Sequence, residues 1–403
     1  MIELLLLLTL VGLIFASAKR MGFANPFQIY FSIWFVVLFA YYLTKDSFIR
    51  LPAEFLLLLL VAKSVSLAIL AAAYWSARLP TSSTSEDWRY LRESKLFLLA
   101  QVAVLVAMPF SYQRAVELAG GESIFTVIGY VSLRAATTDD GLGFGVLSYF
   151  SVLSSAVTAL AVRAYFDRAM PFYRLLLAIV ASVFYTYLST GRTFVLFSLL
   201  LVVFPLILVG IVRLKGVIFS LLLIAILFVG VATMTSKGIS AESSLVDNIE
   251  SFMYSLRAYT IAPLLAFHNL IESSPALDLG RNSFRLFYLL LQAVDLADAP
   301  PPLIREYTTV PDLTNVYTVY EVYFRDFSYA GIIVPPAFLL AHWWLFKNAL
   351  NRGGPWAFYY SASVYALVMQ FFQDQYFSLL SMWIQLAFWF WLLIPSKVLT
   401  KRE

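Results

Sequence analysis

The stretch from Thr314 to Phe327 is dense with side chains that can bind a sugar. Hydroxyl, amide, carboxylate and guanidinium groups alternate there with aromatic rings. Such a mixture suits a polyhydroxylated ligand, because polar groups hydrogen-bond its hydroxyls while rings cover its apolar faces. At helical spacing Tyr320, Glu321 and Phe324 share one face. We therefore predict a sugar-binding surface formed by Asn315, Tyr317, Thr318, Tyr320, Tyr323 and Arg325.

A purely structural explanation of this stretch is also open. Thr318 and Glu321 have the Thr-x-x-Glu spacing of a capping box, in which hydroxyl and carboxylate satisfy backbone amides at the start of a helix. Under this alternative the stretch is the amphipathic beginning of the hydrophobic span that follows, and its polar groups require no ligand.

Four arginines form a second set of candidate residues. Arg192 lies in Ser189-Thr-Gly-Arg-Thr193, a tight turn between two apolar runs, and Arg257, Arg281 and Arg285 follow in a long polar region. A planar guanidinium donates two parallel hydrogen bonds to phosphate, so the set is predicted to bind diphosphate. The alternatives are that Arg192 reaches towards lipid headgroups and that the others pair with nearby carboxylates.

Composition determines the class of protein that carries these residues. Hydrophobic residues make up 61% of the 403 and charged residues only 13%, against roughly 25% charged residues in a soluble domain. We predict an all-α polytopic integral membrane protein with one membrane domain over 1–403. The sequence has no cysteine, which excludes disulfides, and its net charge of +4 is dispersed, so no nucleic-acid partner is expected.

Uninterrupted apolar runs predict about eleven transmembrane helices. The runs lie near 2–17, 26–43, 53–75, 96–113, 144–162, 171–189, 193–211, 216–234, 329–346, 355–373 and 376–395. Residues 235–328 remain as one large outer loop, and apolar spacing predicts helices within it over 243–271 and 284–294.

The basic residues predict the orientation. With the N-terminus outside, the inner turns receive sixteen of the 28 lysines and arginines, and the longer outer segments receive eleven. The positive-inside rule therefore favours an N-out, C-in topology, with the 235–328 loop and the Arg192 turn outside. Lys63 is the remaining basic residue and falls inside a span.

The sequence predicts no cofactor and no metal. It contains neither a Gly-rich phosphate-binding loop nor a cluster of carboxylate and histidine ligands. Asp139 and Asp140 precede Gly141 and are typical of a turn, with an acidic metal site as the alternative. The two histidines are His268, a lone residue between apolar segments, and His342, which is expected near the inner end of the ninth span.

Two short motifs resemble those of the Wzy-type O-antigen polymerases, also called oligosaccharide repeat unit polymerases. Asn315-Val-Tyr-Thr318, followed by Tyr323-Phe-Arg-Asp-Phe327 and Gly331, is similar to the family signature, and the Arg192 turn is similar to a second landmark. The sequence differs in having Ser328 where the family usually has glycine, and Thr314 where related ligases have histidine. Neither Arg257 nor Arg281 is followed ten residues later by the glycine known in some members.

The resemblance implies a membrane-embedded glycosyltransferase of the GT-C type that needs no metal. Such an enzyme moves a growing glycan from undecaprenyl diphosphate to the terminal hydroxyl of the next undecaprenyl-diphosphate-linked repeat unit, at the periplasmic face of a bacterial inner membrane. Arg192 would assist catalysis as well as bind diphosphate. Asp326 is the first candidate for the general base, Glu321 the second and His268 the third. Membrane lipid, a chain-length regulator protein and a flippase of the same pathway are the expected partners.

Two other functions remain open. An O-antigen ligase-like transferase would deliver the glycan to a lipid A-type acceptor. A lipid-linked-sugar flippase or secondary transporter would leave chain length unchanged, and Lys63 favours this alternative because ionisable residues within spans are commonly functional.

Overall fold

A computed structural model describes residues 2–47, 49–76, 85–138, 142–213, 216, 245–310 and 312–400. About 75% of the residues in these ranges are helical. Two short β ribbons accompany the helices: β1 (Ser85–Glu86) pairs antiparallel with β4 (Leu399–Thr400), and β2 (Thr308–Val310) with β3 (Asp312–Thr314). The predicted helical class is confirmed. The β2–β3 ribbon was not predicted, because strands of three residues are too short to show a periodic pattern.

The helices of the described ranges follow the apolar runs of the sequence. The first nine are α1 (Ile2–Met21), α2 (Pro26–Thr44), α3 (Ala53–Ser76), α4 (Arg89–Glu93), α5 (Lys95–Leu118), α6 (Val127–Thr138), α7 (Ser148–Phe166), α8 (Phe172–Leu188) and α9 (Arg192–Leu208). They are followed by α10 (Leu245–Ser273), α11 (Arg285–Gln292), α12 (Tyr320–Phe327), α13 (Val334–Arg352), α14 (Pro355–Met369) and α15 (Leu380–Leu393). Helices α10 and α11 confirm the two helices predicted over 243–271 and 284–294.

Six helical segments in this part of the chain are long and apolar enough to cross a membrane. They are Ile2–Lys19, Pro26–Thr44, Ala53–Trp75, Lys95–Leu118, Gly145–Phe166 and Tyr320–Arg352. Shorter apolar helices occupy Phe172–Leu188, Arg192–Leu208 and Phe377–Leu393. The chain is therefore an all-α protein of membrane type. The count of eleven spans and the orientation stay predictions, and the run at 216–234 lies, apart from Gly216, outside the described residues.

Contacts divide the chain into two compact units, each built from separate stretches. The first comprises Met1–Leu79, Ile249–Lys347 and Ser363–Ser381, and the second comprises Pro80–Asn248, Asn348–Ala362 and Met382–Glu403. The predictions of one membrane domain and of a 235–328 periplasmic loop stay predictions.

The first unit has an aromatic core next to α12. Its helix α1 packs against α2 and α3, and α2 begins where the Asn25 side chain accepts a hydrogen bond from Gln28 N at 2.9 Å, a stable N-cap. The ring of Phe267 on α10 stacks on Tyr320 with centroids 5.7 Å apart. The first residues of α12 are therefore held inside the unit.

The second unit is organised around α7. This helix packs against α5, α8 and α9, and every residue from Val152 to Ala164 is buried. Small side chains such as Ala156 and Ala161 allow neighbouring helices to approach closely, as in other membrane helix bundles.

The beginning of the predicted ninth span required correction. The sequence placed it at 329, whereas the apolar helical run extends from Tyr320 to Arg352. A 3-10 turn, Ser328–Ile333, joins α12 to α13, and a side chain at Gly331 would collide with the Tyr323 carbonyl oxygen, 2.0 Å from its Cβ position. Ser328 has φ 52°, a conformation that glycine adopts freely and that costs other residues about 1 kcal/mol.

Candidate active site

Glu321 is buried on the first turn of α12 between two guanidinium groups. Its Oε1 atom lies 2.9 Å from Arg305 Nε and also accepts a hydrogen bond from Arg325 Nε, one turn further along the helix. The side chains of Arg305 and Arg325 are 14% and 23% exposed, against 5% for Glu321. The carboxylate charge is thus covered by two arginines that themselves reach the surface of the unit.

Asp326 is fully buried and fixes the turn that precedes α11. Its Oδ1 accepts from Asn282 N at 3.1 Å and Asn282 Nδ2 at 2.9 Å. Its Oδ2 accepts from Ser283 N at 2.6 Å and Ser283 Oγ at 2.5 Å. Since two carboxylate oxygens offer about four acceptor positions, this geometry favours a positioning role for Asp326 over proton abstraction.

Asn282 connects Asp326 to the arginines. Its Oδ1 accepts a hydrogen bond from Arg305 Nη2 at 2.7 Å, so the turn, Arg305 and Glu321 form one continuous network. We call Glu321, Arg305, Arg325, Asn282 and Asp326 the α12 cluster. The sequence indicated three of its members. Arg305 and Asn282 do not lie in a recognisable motif. The only sequence signal for Arg305 was its positive charge in the loop that is predicted to face outwards.

The four arginines predicted to bind diphosphate have different surroundings. Arg281 Nη2 donates to the Ala299 carbonyl at 2.7 Å, and Arg285 donates to the Pro301 carbonyl. Burial, with a smaller contribution from nearby Arg305, lowers the pKa of Arg285. Arg257 lies on α10 with its side chain outside the described part, and Arg192 is the first residue of α9 in the second unit. Diphosphate binding by these four residues stays a prediction.

The predicted capping box at the start of α12 is absent. The N-cap residue is Val319, without a side-chain hydrogen bond, and its amide donates to the Gln370 carbonyl at 2.8 Å. Glu321 binds the two arginines instead, and the buried Thr318 hydroxyl has no hydrogen-bond partner among the described residues. The capping box predicted for Thr318 and Glu321 is therefore wrong, whereas the wider alternative, an amphipathic beginning of the span that needs no ligand, stays open.

The remaining predicted sugar ligands lie at different depths. Asn315 is half-buried. Tyr317 lies with its ring centroid 5.9 Å from the Arg325 guanidinium carbon. Burial raises the pKa of Tyr317, an effect that the positive charge of Arg325 partly offsets. Tyr320 and Tyr323 are fully buried, so both hydroxyls bind groups inside the first unit.

The Tyr320 hydroxyl belongs to an aromatic cage around Lys63. Lys63 Nζ donates to Tyr30 at 2.9 Å and to Tyr320 at 3.4 Å, and it lies 3.7 Å from the ring centroid of Trp34. These contacts stabilise an ammonium group through hydrogen bonds and cation–π attraction. Within the described ranges no carboxylate lies within 4.0 Å of this cation, so the cage replaces an ion pair.

Tyr323 leads to a buried carboxylate that the sequence analysis missed. Its hydroxyl donates to Asp374 Oδ1 at 2.9 Å, and Asp374 Oδ2 accepts from Ser378 N at 2.9 Å. Burial raises the pKa of Asp374, and these hydrogen bonds offset part of that effect. Asp374 lies in Gln-Asp-Gln between two apolar helices, with no partner at a recognisable spacing.

Both histidines are buried. His342 lies in the middle of α13 and not near its inner end, with Nδ1 3.0 Å from the Ser363 hydroxyl and Nε2 3.0 Å from the Tyr376 hydroxyl. His268 is buried against Phe55, with ring centroids 5.2 Å apart, and neither of its nitrogens has a hydrogen-bond partner among the described residues.

In the part of the chain that the structure describes, no three His, Cys, Asp or Glu residues are grouped as metal ligands would be. Asp139 and Asp140 lie outside that part.

Comparison of the chain with protein-family models, with curated proteins and with solved structures finds no match. The case for a function therefore depends on the motifs of the sequence and on the geometry of the α12 cluster.

Proposed function

We propose that the chain polymerises lipid-linked oligosaccharide repeat units at the periplasmic face of a bacterial inner membrane. The growing glycan would pass from undecaprenyl diphosphate to the terminal hydroxyl of the next undecaprenyl-diphosphate-linked repeat unit. The observation that carries this proposal is the buried Glu321 held between Arg305 and Arg325. It lies between the two parts of the motif that resembles the Wzy-type polymerases, at the beginning of a helical run long and apolar enough to cross a membrane.

The reaction requires two kinds of group. An acceptor oxygen forms a bond to the anomeric carbon of the donor glycan, and the bond from that carbon to the phosphate oxygen breaks. The diphosphate leaves with the electron pair, so fixed guanidinium groups near it lower the barrier. The proton of the attacking hydroxyl passes to a carboxylate.

The α12 cluster supplies both kinds of group. In this proposal Arg305 and Arg325 stabilise the leaving diphosphate. The role of Arg192 is a separate prediction that rests on the motif resemblance. Glu321 takes precedence over Asp326 as proton acceptor, because both oxygens of Asp326 are occupied by Asn282 and Ser283, whereas Glu321 Oε2 has only a 3.5 Å contact with Arg305 Nη2 among the contacts described. Asp326 then positions the turn that orients Arg305.

The test is reconstitution of the purified protein in nanodiscs with authentic lipid-diphosphate-linked repeat units, without nucleotide and with EDTA. A ladder of glycan lengths is the expected product. Glu321→Gln and Arg192→Ala should each reduce its rate by about 10²–10³-fold, the usual cost of losing one transition-state contact. Glu306→Gln, an exposed neighbour of Arg305, is the matched control and should retain full activity.

Two outcomes would contradict the proposal in different ways. Full activity of a correctly folded Glu321→Gln variant would remove Glu321 from the mechanism while leaving the polymerase intact. Absence of a ladder from the unaltered protein, with binding of the authentic substrate confirmed, would exclude polymerisation. Transfer of glycan to an added lipid A-type acceptor would then indicate the ligase alternative.

Lys63 supports a second candidate function, a flippase or secondary transporter for lipid-linked sugars. A caged cation in the middle of α3 is the kind of ionisable group that transporters use to couple substrate and ion movement. In proteoliposomes, movement of a fluorescent lipid-linked sugar between leaflets that is lost in Lys63→Met would favour this function. Glycan length would remain unchanged in that assay.

A further inference from the structure

Helix α11 is an apolar helix in which no residue is buried. At 100° per residue, Leu286, Phe287, Leu290 and Leu291 fall on one arc, and Arg285, Tyr288 and Gln292 fall on the opposite arc together with Leu289. The exposed fractions of Phe287, Leu290 and Leu291 are 55%, 60% and 40%. Apolar side chains therefore cover the outward face of this helix.

The polar face of α11 carries its bond to the rest of the unit. Arg285 donates to the Pro301 carbonyl, and the nearby Arg281 donates to the Ala299 carbonyl. This arrangement is the inverse of a surface helix in water, where the apolar face packs against the protein and polar residues face the solvent. An apolar medium outside α11 accounts for this arrangement.

The apolar surface continues on both sides of the helix. Leu279 precedes α11 with 72% exposure, and Val294 and Leu296 follow it with 62% and 73%. A soluble monomer rarely exposes an apolar patch of more than a few hundred Å². A patch of this composition marks a contact with lipid or with another protein.

The neighbours of α11 in the fold indicate that lipid covers the apolar patch. Phe284, immediately before the helix, packs against Phe377 with ring centroids 5.8 Å apart. Phe377 begins the turn that runs directly into the apolar helix α15. The patch thus lies beside the residue at which the apolar helical segment Phe377–Leu393 begins. The arginines at its polar edge match the phosphates of lipid headgroups.

We propose that α11, with the flanking residues Leu279, Val294 and Leu296, lies in the membrane interface with its apolar face among phospholipid acyl chains. Amphipathic helices of this kind penetrate about 5–10 Å below the headgroups. The helix anchors the turn bound by Asp326, and so holds the α12 cluster at a constant height above the acyl chains. This inference concerns position and does not depend on the proposed function.

The absence of cysteine from the sequence allows a direct measurement of position. Leu290→Cys carries a single NBD fluorophore in nanodiscs of phosphatidylethanolamine and phosphatidylglycerol, with no lipid-linked saccharide present. Asp298→Cys, in the exposed segment after α11, is the matched aqueous control. Leu340→Cys, on the apolar helix α13 and 55% exposed, is the control for lipid. Quenching is measured with lipids bearing a nitroxide at acyl carbon 5, and separately with iodide.

The proposal expects the label at 290 to be quenched by the nitroxide lipid several-fold more than the label at 298, and to resist iodide. Iodide quenching equal to that at 298 would show water at this face and overturn the proposal. Protection from both quenchers would show a protein partner or a second copy and would also overturn it. Nitroxide quenching that appears only after lipid-linked saccharide is added would assign the face to the substrate lipid instead. None of these results alters the outcome of the polymerisation assay.

Discussion

Two largely enclosed glutamates, one in each compact unit, are held by arginine in different ways. Glu86 in the second unit accepts from Gly354 N at 2.6 Å, Trp88 Nε1 at 3.0 Å and Arg163 Nη2 at 2.9 Å. Its donors come from three separated stretches of that unit, and one is a backbone amide. Glu321 in the first unit is bound by the guanidinium groups of Arg305 and Arg325 alone among the contacts described.

This difference indicates that the Glu86 site is a structural junction, whereas the Glu321 site is a candidate active site. The donors around Glu86 are fixed by the backbone or by burial, since the Arg163 side chain is only 7% exposed, so that site has little freedom to bind anything else. Arginines that reach the surface can bind a phosphate in place of a carboxylate. Both anions present two or more oxygens, which accept the parallel N–H hydrogen bonds of one guanidinium group. We therefore expect mutations at the two sites to affect different properties.

The largest expected effect is on stability at the Glu86 site. Arg163→Met leaves a buried carboxylate without its cation, which typically costs about 3–5 kcal/mol. Arg305→Met should cost only about 1.5–3 kcal/mol, because Arg325 still binds Glu321, although the hydrogen bond from Arg305 to Asn282 is lost as well. The free energy of unfolding in detergent, followed by denaturant titration of each purified variant, provides the measurement. Equal losses in the two variants would show that the two glutamates are held equivalently.

An intermediate effect is expected at Asp326, which belongs to the α12 cluster but has backbone donors like those of Glu86. Asp326→Asn removes the charge and replaces one acceptor oxygen by a donor, so the bonds to Ser283 are lost at a cost of about 1.5–3 kcal/mol. Hydrogen exchange of the amides of Asn282 and Ser283 should become faster, whereas Glu321→Gln should leave them protected. Unchanged exchange in Asp326→Asn would show that the turn is held by other contacts.

The smallest effect is a pH dependence at Asp374. Burial raises the pKa of this carboxyl in the folded protein above the ordinary value of about 3.9. As pH rises past that value, the unfolded chain releases a proton that the folded protein retains, so the free energy of unfolding falls until Asp374 also ionises. Asp374→Asn should flatten this decline.

The measurement for Asp374 is the unfolding temperature of the detergent-purified protein between pH 3 and 7. Asp295→Asn, a substitution in an exposed turn, is the matched control and should leave the decline in place. A decline that is identical in the Asp374→Asn variant would assign the pH dependence to other groups.

The helices could be predicted from the sequence because long apolar runs have few structures available in a membrane. This holds for α3 and α5, whose predicted runs coincide with the observed helices apart from a few terminal residues. The start of the run at Tyr320 could not be predicted in the same way. Glu321, Arg325 and Asp326 lower the local hydropathy, and only their partners Arg305 and Asn282 show that these charges are satisfied within the fold.

The sequence predicted the site residues that share one helix. It did not predict the residues that come from distant parts of the chain. Glu321, Arg325 and Asp326 lie within six residues of one another and were visible in the sequence. Arg305, Asn282 and Asp374 reach α12 through tertiary contacts that leave no local pattern. Tyr320 was predicted to bind a sugar because helical spacing shows which face of the helix it occupies. The spacing does not show that this face meets Lys63 inside the fold.

The Lys63 cage also has a consequence for how the protein is made. Tyr320 lies 257 residues after Lys63 in the chain, so at about 5–20 residues per second the ribosome supplies this partner tens of seconds after α3 has been synthesised. Until then the lysine has Tyr30 and Trp34, both on α2, as its available cage partners. The cage is therefore completed only after the last third of the chain has begun to emerge. Until then the Lys63 side chain lacks one of the two hydroxyl acceptors that it has in the folded protein.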